Sequence, residues 1–88
     1  MILMKEMEQV MALLDKIIND RTVPKNIRRA AEESKKALNS NDAPEVKISA
    51  AIHILDEIIN DPNMPVYTRT QIWNIVSLLE GIRRNLGT

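Results

Sequence analysis

The sequence predicts an all-α domain, a compact four-helix bundle built from two repeated helical hairpins, and three observations carry that prediction. Apolar residues recur at helical spacing over four separate stretches. The heptapeptide LDKIIND at 14–20 returns as LDEIIND at 55–61. Glycine occurs only at Gly81 and Gly87, too sparsely for a sheet closed by tight hairpins. The 88 residues suffice for one domain, which at this size buries about 60–65% of its unfolded surface. Phe is absent and Tyr67 and Trp73 are the only aromatic residues, so the core must come from Ile, Leu, Val, Met and Ala.

The first helix covers about residues 2–19, with Leu3, Met7, Val10, Met11, Leu14, Ile17 and Ile18 on one face. DRTVPKN follows as a proline turn, with Thr22 as the expected cap and Pro24 in the first turn of the next helix. That second helix runs from about 24 to 38. Its thin stripe of Ile27, Ala30, Ala31, Ser34, Ala37 and Leu38 suits close approach of a neighbouring axis. LNSNDAPE is the main break; Asp42 and Glu45 have capping-box spacing, with Pro44 in the first turn. The third helix, about 43–60, carries Ile48, Ala51, Ile52, Leu55, Ile58 and Ile59. DPNMPVY is a second proline turn, with Asn63 the expected cap and Pro65 opening the fourth helix. The fourth helix, about 65–86, has the stripe Ile72, Ile75, Val76, Leu79, Ile82 and Leu86, widened by Trp73 and Leu78 and ended by Gly87.

Laying residues 14–28 on 55–69 matches Leu, Asp, Ile, Ile, Asn, Asp, Pro and Arg, and Leu38 falls on Leu79. The chain therefore divides into one hairpin over about 2–40 and another over about 42–87. Each hairpin alone leaves its apolar face wet, and packing the two together covers both.

The repeat preserves polar residues as well as apolar ones. Asp20 and Asp61 follow a helix C-terminus, where the macrodipole disfavours an anion, so turn chemistry must compensate: side chains bonded to local backbone. Asp15 and Asp56 sit at the edges of their stripes. Arg69 falls within the apolar sector of its helix and needs a partner, since an unpaired buried charge is costly. The expected partners are Asp56 or Asp61 for Arg69, and Asp15 or Asp20 for Arg28. Pairs of this kind fix hairpin geometry without any ligand; an Asp/Arg pocket with enzymatic chemistry is the alternative they leave.

Other chemistry is sparse. The chain has no cysteine, which removes disulfides, thiolate catalysis and thiolate metal sites. His53 is the only histidine and projects away from its stripe, so neither a metal site nor a nucleophile's relay is expected. No glycine-rich phosphate loop exists, and no cofactor is expected. Formal charge is zero, unlike a domain devoted to phosphate backbone. Lys25, Arg29 and Lys36 do share a face of the second helix and could touch nucleic acid weakly. Glu32 interrupts that face, however, and Arg28–Glu32, Arg29–Glu33 and Glu32–Lys36 have the spacing of internal salt bridges. No signal peptide or membrane span reads out, so a cytoplasmic protein is expected.

The apolar excess is more informative. Leu13, Ile54 and Leu78 flank their stripes, and Met1, Met4, Met7 and Met11 give the first helix a flexible edge. Apolar surface beyond what four helices can cover points to a homo-oligomer, a dimer or higher, formed through apolar helix faces and most simply about a two-fold axis.

Two stretches, TVPKNIRRAAEESKKAL and ILDEIINDPNMPVYTRTQIWNIVSLLE, make the chain resemble the archaeal uncharacterised protein family 0147; DPNMP followed by RTQIWNIV is the specific part. The resemblance implies a small all-helical archaeal protein with no assigned activity and no catalytic or ligand residues to carry over. The function expected is then a non-enzymatic interaction or scaffold module that self-associates.

Overall fold

The protein is described by a computed structural model covering residues 2–86, with side chains from residue 5 onward. Among the described residues the chain forms four helices and no strand: α1 (Ile2–Ile18), α2 (Lys25–Leu38), α3 (Pro44–Ile58) and α4 (Val66–Leu86). The expected helices fall where the periodicity places them, to within one or two residues at each end. The expected cap at Gly87, Met1, and the side chains of Leu3 and Met4 lie outside the described residues.

α1 packs against α2 and α4, and α3 packs against the same two. The helices thus form a ring around one core, with α1 facing α3 and α2 facing α4 across it. The bundle measures 37 × 20 × 19 Å. Val10, Leu14 and Ile17 of α1 meet Ile27, Ala31 and Leu38 of α2, Ile48, Ala51, Ile52 and Leu55 of α3, and Ile72, Ile75, Leu79 and Ile82 of α4. Each large aliphatic side chain buried this way contributes about 1.5–3 kcal/mol, the main term holding the fold. The thin face of α2 works as its composition implies: Ala30, Ala31 and Ser34 are all buried, and the Ser34 hydroxyl donates to the Ala30 carbonyl at 2.9 Å.

The core also takes in residues that helical periodicity misses. Val23 and Met64, each just before a turn proline, are buried at 1% and 5% exposure. They occupy equivalent places in the repeated segment and plug the same end of the core. Thr68 and Gln71 of α4 are buried as well, at the places equivalent to Ile27 and Ala30 of α2.

The caps differ from expectation. Pro24 occupies the N-cap of α2 and Ala43 that of α3, and neither makes a side-chain cap bond. Asp42 therefore closes no capping box; its carboxylate instead accepts a 3.3 Å bond from the Ser40 hydroxyl. Thr22 and Asn63 lie outside their helices as donors to the preceding aspartate. The reason is the extended backbone of the turns, φ −53° and ψ 148° at Pro24, which puts the proline itself at the helix entrance. Pro44 does stand in the first turn of α3, where its missing N–H costs nothing.

Much of the apolar excess is absorbed internally. Met7, Met11, Leu13 and Leu78 are partly buried and pack against the core. Ile54 is half-buried beside α2. Among the described residues, the large apolar side chains that stay outside are Val46, Val66, Tyr67, Trp73 and Leu86.

Candidate functional site

The repeated polar residues gather in the turns that link α1 to α2 and α3 to α4. In the first, the Thr22 amide and hydroxyl both donate to Asp20 Oδ1, at 2.9 and 2.6 Å. In the second, the Asn63 amide donates to Asp61 Oδ1 at 2.8 Å. The backbone repeats as well: Val23 N donates to Asp20 O, and Met64 N to Asp61 O, both at 3.2 Å. An aspartate bonding the amide two residues on is ordinary turn chemistry and answers the dipole conflict at the helix end. The Thr22 hydroxyl, then its amide, then the charge of Arg28 hold the Asp20 carboxyl below its ordinary range.

The arginines do not pair with the expected carboxylates. Arg28 Nε donates to the Val23 carbonyl at 3.1 Å. Arg69 reaches the Ile59 carbonyl through Nη1 and the Asp61 carbonyl through Nη2, the latter at 3.1 Å. Asp15 instead pairs with Lys35 at 2.6 Å, and Asp56 is exposed, with its main-chain carbonyl accepting from the Asn60 side chain. The Ile59 carbonyl lies at the end of α3, where carbonyls lack intrahelical donors, and the Arg69 guanidinium satisfies it while complementing the dipole; the Val23 carbonyl that Arg28 holds lies in the turn before α2. The arginines thus fasten turn backbone, where carboxylate partners were expected.

The second helix also departs from expectation. Ion pairs among the described residues are Lys35–Asp15 and Arg83–Glu80 at 3.8 Å, and His53 Nε2 lies 3.0 Å from the Glu57 carboxylate. None of the three spacings expected to bridge along α2 does so. Lys25, Arg29 and Lys36 are all exposed, with the exposed carboxylates of Glu32 and Glu33 among them.

Open grooves mark the surface of the described residues. One, about 640 Å³, lies between α1 and α2 and is lined by Asp15, Asn19, Glu32, Lys35, Lys36 and Asn39 with Ile18. Asp15 borders it together with Lys35, and Arg28 takes no part, so the Asp15/Arg28 pocket does not form. A second groove of about 520 Å³ continues from Asp15 and Asn39 past Met7 and Met11. A third, about 260 Å³, runs between Ala30 and Glu33 on one side and Ile54, Glu57 and Ile58 on the other. Among the described residues no group of three or more His, Asp or Glu could hold a metal ion. No helix among the described residues is long and apolar enough to cross a membrane.

The outer surface of α4 carries the feature that periodicity misassigned. Trp73 is 57% exposed and Tyr67 69%, with Val66 at 81%. The aliphatic core fills without either aromatic side chain.

A family model described as uncharacterised protein family UPF0147 matches residues 3–82. The chain belongs to that family. A UPF0147 protein of Methanocaldococcus jannaschii is 61% identical over 75 residues, covering 84% of this chain and 81% of that protein. One from Methanothermobacter thermautotrophicus is 53% identical over 76 residues, covering 85% and 74%. Among solved structures, a UPF0147 protein from Thermoplasma acidophilum superposes with a TM-score of 0.86 at 39% identity, over 90% of this chain and 94% of that one. The crystal structure of a protein of unknown function, MMP1188, matches with a TM-score of 0.81 at 49% identity, over 85% and 86%. The UPF0147 fold is thus an all-α four-helix bundle, and the family is uncharacterised in function.

Proposed function

We propose that this UPF0147 chain is a small non-enzymatic interaction module that associates with a second copy of itself. One observation carries the reading: both aromatic residues of the chain, Tyr67 and Trp73, stand on the outside of a single helix while the core fills with aliphatic side chains. Aromatic side chains are enriched at interfaces because they bury large area at low entropic cost, and interface hot spots favour Trp and Tyr. The turn arginines support the same reading, since their donors go to turn carbonyls.

Light scattering on the purified chain tests it. A mass of twice the protomer at high micromolar concentration is expected, and a monodisperse monomer there would end the proposal. The alternative, weak nucleic-acid contact through Lys25, Arg29 and Lys36, requires binding that falls steeply as salt rises.

A further inference from the structure

We infer that the second copy docks on the outer strip of α4, antiparallel to the first, with Trp73 of each protomer seated over Ser77 of the other. This inference rests on the self-association proposed above and adds the surface, the orientation and the register.

The strip follows from helix geometry. At 100° per residue, Val66 and Trp73 lie within roughly 20° of each other, and both point away from the buried Ile75. Thr70, Ser77 and Arg84 share that outward side and are exposed, with Glu80 half-buried beside them. The Thr70 hydroxyl is turned back to its own helix, donating to the Val66 carbonyl at 3.2 Å. The strip therefore presents one large aromatic knob between two small residues, and each knob can enter the gap left at the partner's Ser77.

Charge selects the orientation. Arg69 lies toward the N-terminal end of the strip; Glu80 lies toward the other end, followed by Arg83 and Arg84. A parallel pairing would set Glu80 against the partner's Glu80 and Arg84 against the partner's Arg84. An antiparallel pairing with Trp73 opposite the partner's Ser77 brings Glu80 beside the partner's Thr70 and Arg69. It also lays the Arg84 stem against the partner's Val66, and it opposes the two helix dipoles. The contact is isologous, so it closes as a dimer and leaves no free copy of the strip.

The test uses the full chain. Sedimentation equilibrium is run on the natural protein and on W73A and E80K, with circular dichroism to verify that each variant keeps its helices and still unfolds cooperatively. Because the chain has no cysteine, S77C and A50C report proximity directly by oxidation to a covalent dimer. Residue 77 lies near the two-fold axis, and residue 50 lies on the exposed side of α3. W73A should raise the dimer dissociation constant about tenfold or more, as loss of a central aromatic anchor does. E80K should weaken the dimer too, by an amount that shrinks as salt rises. S77C should cross-link well ahead of A50C. A dimer whose dissociation constant is unchanged in W73A, or that cross-links no faster through S77C than through A50C, would overturn this surface and register while leaving self-association standing. A monomeric natural protein would overturn both.

Discussion

Asn26 Nδ2 donates to Asp61 Oδ2 at 2.6 Å, joining the first turn of α2 to the turn that leads into α4. The two residues are 35 positions apart, and the bond latches the two halves of the bundle at one end. Asp61 serves both duties at once, because its Oδ1 already holds the Asn63 amide. The residue equivalent to Asn26 in the second half is Tyr67, so the same latch cannot form a second time.

Removing the latch should cost modestly. N26A is expected to lower stability by about 1 kcal/mol, the net worth of one hydrogen bond, or roughly 4–8 °C in melting temperature for a domain this small. D61A should cost more, since it also frees the Asn63 amide. Thermal denaturation of both variants checks this, and an N26A protein melting like the parent would show that the contact contributes nothing.

Arg69 should matter more than Arg28. Its guanidinium satisfies two carbonyls, those of Ile59 and Asp61, whereas Arg28 satisfies one. R69A is expected to cost about 1.5–3 kcal/mol, the range for bonds to a charged group, and R28A about half of that. R69K should recover only part, because an ammonium cannot span two acceptors as a planar fork does. Urea denaturation gives the ranking; equal losses from the two arginines would contradict it.

Ser34 tests how closely α2 approaches its neighbours. The side chain is fully buried, yet its hydroxyl bonds only its own helix. S34A should therefore change stability by less than about 1 kcal/mol, while S34L should cost about 1–3 kcal/mol through overpacking. Chemical denaturation distinguishes them, and a tolerated leucine would mean the helices are less tightly apposed than the structure places them.

Asp20 predicts an acid dependence whose sign is determined. Its folded carboxyl titrates below the ordinary value, so the carboxylate's contribution is complete above the unfolded value of about 3.9 and is lost as pH falls through the lower folded one. The stability gap between the parent and D20A should stay level from neutral pH down to about 4 and narrow below it. Denaturation across that pH series is the measurement. A gap that narrows as the pH rises would place the shift in the opposite direction.

Local features were legible because they are set within a few residues. The stripe Val10, Leu14, Ile17 reads as helix from spacing alone, and it is buried. Asp20 and Asp61 read as turn residues because an aspartate side chain can reach the amide two positions on without help from the rest of the fold. Arg28 and Arg69 could be seen to need partners, but the choice of carbonyl over carboxylate depended on how the turns run past the helix ends.

The sequence by itself determined four helices, their apolar faces and the chemistry of the two proline turns, because covalent geometry repeats every few residues and bonds of that reach need no distant partner. Tertiary structure alone decided that Lys35 meets Asp15, that Asn26 meets Asp61, that Val23 and Met64 close the core, and that Trp73 stands outside it. Those outcomes depend on the register and rotation of one helix against another. Periodicity marks which side of a helix is apolar, but it does not state how wide a strip of that side its neighbours will cover.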